Sequence, residues 1–192
     1  MFHGIVDLIF YLVFSTEVIL IILIVISIFL PRWRFWPPGG FGAKFILVWL
    51  LTFISIGGLV ALAILSWDTY IIKNIFLRIA GVVLFIGGNA LAIWGLVELG
   101  TYASSGLEYK LVTTGTYRYT RNPQYLGDII ALAGAILLVN SFYFTIASGL
   151  GIIIFYMLPY AEEPWLREKY GDEYIKYCRR VPRFIGIPRK KE

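Results

Sequence analysis

The longest stretch of this chain without a Lys, Arg, Asp or Glu runs from residue 129 to 161, 33 residues in all. A helix crosses the hydrocarbon core of a bilayer in ~20 residues, so the stretch is too long for one span. Asn140 and Ser141 lie near its middle. With residues 122–127 added in front, it divides into two helices of roughly 17 to 20 residues joined by a tight turn. Three further uncharged runs precede it: 18–31, extended back through Glu17 and Val13 to about Ile5, then 45–67 and 79–97. Each is one span, which predicts five in all. Composition agrees: 59% of residues are hydrophobic and 15% charged, against ~45–50% and ~25% in soluble domains. A chain so apolar cannot cover itself with polar surface, and disorder needs the opposite balance. The expected fold is therefore all-α and integral to the membrane.

Basic residues test the count. Arg32, Arg34 and Lys44 in the first loop, Lys110, Arg118 and Arg121 in the third, and nine residues after Ala161 share one side, leaving only Lys73 and Arg78 opposite. Running the last stretch straight across instead gives 11 against 6. The excess of Lys and Arg on cytoplasmic loops favours the hairpin, with the N-terminus outside and the C-terminus cytoplasmic. The expected organisation is one integral membrane domain over 1–192, with three spans in 1–97 and a loop, hairpin and tail in 98–192. No basic residue precedes the first apolar run and Leu30-Pro31-Arg32 is no cleavage site, so that run is expected to remain as a span.

The same inventory excludes several chemistries. One cysteine, Cys178, and one histidine, His3, supply neither an internal disulfide nor a cluster of metal ligands, and no metal is expected. A histidine-based triad is equally short of parts. The net charge of +5 follows from loop bias and anionic headgroups and needs no nucleic acid. Trp33 to Gly40 reads as an interfacial loop, and residues 39–44 lack the glycine spacing of a phosphate-binding loop.

Polar residues gather in two places, 115–128 leading into the hairpin and 162–174 leaving it. Equal climb and descent bring Arg121 back to the level of Glu162. Asn122 followed by Pro123 is a helix start, an N-cap side chain before a residue with no N–H, and the first turn's free N–H groups can hold an anion. Gly127, Ala131 and Ala135 recur every four residues, a face for close helix packing. Glu162-Glu163 opposite Arg121 and Tyr125 completes a pocket with both signs of charge and aromatic faces, suited to a zwitterionic or cationic ligand. Leu166, Tyr170, Tyr174 and Tyr177 share one face of an expected amphipathic, cytoplasmic C-terminal helix. Glu17, deep in the first span, is a candidate for function, or for pairing with a polar group such as Asn89.

Leu111-Val112-Thr113-Thr114-Gly115-Thr116-Tyr117-Arg118-Tyr119-Thr120-Arg121-Asn122-Pro123-Gln124-Tyr125-Leu126-Gly127, the hairpin, Glu162-Glu163, and the tail through Tyr170-Gly171-Asp172-Glu173-Tyr174 to Val181-Pro182-Arg183-Phe184 together resemble the isoprenylcysteine carboxyl methyltransferase and phospholipid methyltransferase superfamily. The resemblance covers roughly residues 98–188; the earlier spans match only in number and hydrophobicity. It implies S-adenosylmethionine bound at the cytoplasmic end of the hairpin and methyl transfer to a lipophilic acceptor, an isoprenylcysteine carboxylate, a phospholipid amine or similar. By position it carries over Arg121, Asn122, Pro123, Tyr125, Gly127, Glu162 and Glu163 as cofactor residues, with Leu99 and Gly100 more weakly, and Arg121, Asn122 and Tyr125 as the catalytic set. Ser104 and Ser105 fall where the superfamily often has a polar segment. Asn122 replaces the usual histidine; an amide keeps the hydrogen bonds but accepts no proton, so no general base is expected there. The implied partners are membrane lipids and a lipophilic or prenylated substrate. Two other readings compete: an NADPH-dependent enzyme of the sterol-reductase type, against which the acid pair argues because it repels a 2′-phosphate, and a non-catalytic lipid-binding membrane protein.

Overall fold

A computed structural model describes residues 2–67, 69, 72–107 and 110–188. The side chain of His3, and Arg189, Lys190 and Lys191 of the basic tail, lie outside the described residues. The described chain is helical, without strands: α1 (Phe2–Phe29), α2 (Ala43–Leu65), α3 (Ile75–Leu99), the single turn α4 (Thr101–Ser104), α5 (Pro123–Val139) and α6 (Phe142–Arg180). Short 3-10 turns occupy Pro31–Trp33 and Gly115–Arg118. Four of the helices are long and apolar enough to cross a bilayer, and the 17-residue α5 is at the short end of that range.

The hairpin forms where the sequence breaks. α5 ends at Asn140, which takes the left-handed conformation at φ 50° that a short polar side chain tolerates. The Asn140 side-chain oxygen accepts from the Ile72 N–H at 3.2 Å, and its amide donates to the Ile72 carbonyl, tying the turn to the loop before α3. At the far end, α6 runs on past its apolar part and is broken at Gly171, whose φ of 52° and ψ of −131° leave the helix. A side chain is strained at such an angle, so glycine permits the bend there.

The most extensive helix contact is between α3 and α5. A Cβ on Gly88 would lie 2.4 Å from the Ala131 nitrogen, and one on Gly127 would lie 2.4 Å from that of Ala92. Backbone meets backbone along this seam, as small residues four apart allow.

Two buried clusters bracket the bundle. Phe10, Val13, Leu62, Val139 and Phe144 fill one end, while Leu20, Ile24, Trp36, Val48, Ile154 and Leu158 fill the other. Antiparallel neighbours explain the pairing: the start of α1 meets the ends of α2 and α5 and the start of α6. Exposed Leu, Ile, Val and Phe side chains cover the outer faces of α1, α2 and α3, the surface a bilayer solvates. Every polar segment of the loop, hairpin base and tail collects at the second end.

Candidate functional site

The hairpin does bring the two polar segments together, and it separates the acid pair. Glu163 turns inward, with 6% of its side chain exposed. Its carboxylate accepts from Arg121 Nη2 at 2.9 Å, Arg183 Nε at 2.6 Å and Nη2 at 2.8 Å, and Arg167 Nη2 at 3.3 Å. Hydrogen bonding to this carboxylate holds the Arg183 guanidinium above its ordinary range. Glu162 points the other way. It accepts from Trp36 Nε1 at 2.6 Å and from the Tyr125 hydroxyl.

Each partner is positioned by its own element. Ser27, buried at the end of α1, donates to the Leu23 carbonyl and accepts from the N–H groups of Phe35 and Trp36 at 2.9 and 3.1 Å. One hydroxyl thus ties the loop back onto the last turn of α1 and turns Trp36 under Glu162. Trp36 is 7% exposed; as an expected headgroup-level aromatic it is misplaced by sequence, because the fold-back of the loop is set by Ser27, eight to nine residues away. The tail is pinned to the hairpin base: the Arg121 N–H donates to the Pro182 carbonyl at 2.9 Å, and the Asn122 side-chain amide donates to the Arg183 carbonyl at 2.9 Å. Asn122 does sit at the N-cap position, yet it makes no side-chain cap bond. The expected cap is therefore corrected, since the tail carbonyl competes for that amide and holds the side chain away from the first turn. Glu98 accepts from the Thr116 N–H and hydroxyl at 2.7 and 2.5 Å, fastening the approach loop to the end of α3.

These anchors shape a cleft of about 100 Å³. Its walls include Leu99, Ser104, Lys110, Arg121, Asn122, Gln124, Tyr125 and Glu162, with Leu166, Tyr170, Tyr174 and Tyr177 from the C-terminal part of α6. The aromatic face expected of the tail thus lines it. Tyr117 also lines it, and burial raises its hydroxyl above its ordinary range. Of the residues named from sequence, Pro123 is buried beneath the cleft, Gly100 lies outside its walls, Gly127 lies in the α3–α5 seam and Glu163 lies in the arginine network.

Behind it lies a second, larger cavity of about 720 Å³, among α1, α2, α3, α5 and α6. It is lined mostly by aliphatic and aromatic side chains and was not anticipated from the sequence. Ser104, Gln124 and Tyr125 line both cavities, so the two share a wall.

Whether the polar cleft suits a sulfonium nucleoside is answered by its unsatisfied groups. Ser104 Oγ and Arg121 Nε are buried without a hydrogen-bond partner, a costly condition that a polar ligand relieves. Glu162 adds a carboxylate beside them. The residues fit such a group in chemistry. The volume is below the ~300 Å³ at which small-molecule pockets begin, so the cleft must widen to admit one.

Residues 76–173 match the phospholipid methyltransferase family, and the chain belongs to that family. It is 34% identical over 82 residues to Protein-S-isoprenylcysteine O-methyltransferase B of Arabidopsis thaliana, covering 42% of this chain and 40% of that one. It is 30% identical over 121 residues to a Probable protein-S-isoprenylcysteine O-methyltransferase of Oryza sativa subsp. indica, covering 59% and 62%. It is also 30% identical over 110 residues to Steroid 5-alpha-reductase DET2 of Solanum lycopersicum, covering 55% and 41%. The chain thus spans less than two thirds of the length of these curated relatives. No solved structure matches it.

Proposed function

We propose that the protein is a membrane methyltransferase that uses S-adenosylmethionine held in the polar cleft to methylate a lipophilic acceptor held in the larger cavity. The observation that carries this reading is the shared wall. A water-soluble, charged cofactor and a lipid need separate solvents, and Ser104, Gln124 and Tyr125 are where the two compartments adjoin. When bound, the cofactor supplies an electrophilic methyl group on a sulfonium.

The chain's own residues then bind and position. Glu162 would accept from the cofactor's ammonium or ribose hydroxyls, and Arg121 Nε and Ser104 Oγ would donate to its carboxylate or other oxygens. Tyr125, tethered to Glu162, lines both cavities and would present its ring between cofactor and acceptor. Its hydroxyl is occupied with Glu162, so Tyr125 orients and does not serve as a base. Asn122 is committed to the Arg183 carbonyl and holds the tail across the cleft. No titratable base among the described residues is required, because a displacement on a sulfonium can take a nucleophile that arrives deprotonated, and positioning in a dry site supplies the advantage. The basic-residue bias puts this end in the cytoplasm and the N-terminus outside.

The relative named as a steroid reductase supports a second reading with NADPH in the cleft. Glu162 opposes it, since a carboxylate repels a 2′-phosphate. Incubating the purified protein with methyl-labelled S-adenosylmethionine and a total lipid extract, followed by mass spectrometry of the organic phase, tests the first reading. A labelled lipid supports it. Binding of NADPH without binding of S-adenosylmethionine would replace it with the second.

A further inference from the structure

The larger cavity contains a carboxylate that nothing in the fold completes. Glu17 is fully buried in the middle of α1, between the two apolar clusters, and lines the cavity. One oxygen, Oε1, accepts from the Ser55 hydroxyl of α2 at 2.9 Å. The other, Oε2, is buried without a hydrogen-bond partner. Asn89, the partner considered from sequence, bonds instead to the Phe85 carbonyl of its own helix. Among the described residues the cavity is lined by two acids, Glu17 and Asp128, and by no Lys, Arg or His. An ionisable side chain within a span is expensive and persists where it meets a polar group.

We propose that the lipophilic occupant of this cavity carries a hydrogen-bond-donating group, an amine or a hydroxyl, that pairs with Glu17 deep in the membrane. Glu17 approaches α6 at Gly151, where its Oε1 is 3.6 Å from the place a Cβ would occupy. From Gly151 to Glu162, α6 rises roughly 16 Å at 1.5 Å per residue. The donor therefore lies roughly 16 Å from the level of the polar cleft, far from any atom methylated there. Glu17 selects among lipids and touches no reacting group. This rests on the reading of the larger cavity as the acceptor's site, and it narrows that acceptor from any hydrocarbon chain to one with a polar group along its length or at its buried end. A saturated or isoprenoid hydrocarbon leaves Oε2 unpaired; an amine or hydroxyl completes it, and a donor is what a carboxylate oxygen with no partner accepts.

The test is binding without cofactor, so it stands apart from methyl transfer. The full chain in lipid nanodiscs is titrated with hexadecylamine, hexadecanol or hexadecane, and the thermal unfolding midpoint is followed. The amine and alcohol are expected to raise the midpoint at mole fractions about tenfold below those the alkane needs, a difference of about 1.4 kcal/mol. Glu17→Gln should lose most of the amine's advantage and keep the alcohol's, and Glu17→Leu should lose both. If Glu17→Leu does not fold, Glu17→Gln alone decides through the amine. Equal action of all three compounds on the parent overturns the proposal, and so does an amine advantage that Glu17→Gln leaves intact. Methyl transfer that fails while the donor preference holds would count against the enzyme reading and not against Glu17.

Discussion

The polar cleft and the larger cavity lie side by side in one bundle and are built on opposite rules. The cleft, about 100 Å³, is walled by charged and aromatic groups that mostly hold one another. The cavity, about 720 Å³, is walled mostly by Leu, Ile and Phe from five helices, with two acids, Glu17 and Asp128, the first half-satisfied by Ser55. In the cleft the protein uses ionic bonds as struts: Glu163 clamps three arginines and thereby fixes Arg121, the tail and the hairpin base together. In the cavity the α3–α5 glycine seam draws two helices together, α6 packs on α5 and α1, and α1 and α2 stand off from the seam, leaving room. Precision of placement comes from charge in the first region and from helix spacing in the second.

That contrast predicts separable failures. The largest effect should follow Glu163→Leu, which leaves Arg121 and Arg183 without their shared acceptor: loss of one partner of a buried ion pair costs about 3–5 kcal/mol. Unfolding in detergent should show it as a lowered midpoint. A parent-like midpoint would mean that the arginines are satisfied by solvent and the clamp is not structural.

Next is Glu162→Gln, which keeps size and removes the charge next to the cleft. One charge-assisted hydrogen bond is worth ~1.5–3 kcal/mol, so S-adenosylmethionine should bind one to two decades more weakly. Binding of lipophiles in the cavity should not change. Coupled losses in both would show that the wall at Ser104, Gln124 and Tyr125 does not separate two sites.

Leu132→Trp should give the converse result. Leu132 lines the cavity, and its methyl is 3.1 Å from the Cβ position of Gly151. The added bulk should raise the KM for a lipid acceptor about tenfold, equivalent to 1.4 kcal/mol, with affinity for S-adenosylmethionine within twofold. Glu168→Gln should be the smallest change, within about 0.5 kcal/mol in midpoint, because this exposed carboxylate lies beyond both regions.

The two regions also differ in how far the sequence exposed them. The polar cleft was legible because charges are rare in an apolar chain: 115–128 and 162–174 stand out, and an uncharged run with Asn140-Ser141 in its middle implies the hairpin that joins them. The small-residue periodicity at Gly127, Ala131 and Ala135 likewise announced the seam. Less visible was the division of labour within Glu162-Glu163. Adjacent residues on a helix point about 100° apart, so one faced the cleft and the other the arginines, but which did which depends on where the tail returns. Trp36 was hidden for the same reason, since its partner is 126 residues away. The larger cavity had no sequence signature at all, because a helix face lining a void and one packed against a neighbour carry the same Leu, Ile and Phe.

The central claim is that a polar cofactor on one side of the shared wall meets a lipid on the other. It is tested most directly by giving the protein in nanodiscs methyl-labelled S-adenosylmethionine and measuring where the label goes. The account predicts label recovered in a lipid, strongly reduced by Glu162→Gln and by Leu132→Trp for different reasons, cofactor affinity in the first and acceptor affinity in the second. Label transferred only to water-soluble acceptors, at a rate indifferent to Leu132→Trp, would contradict it.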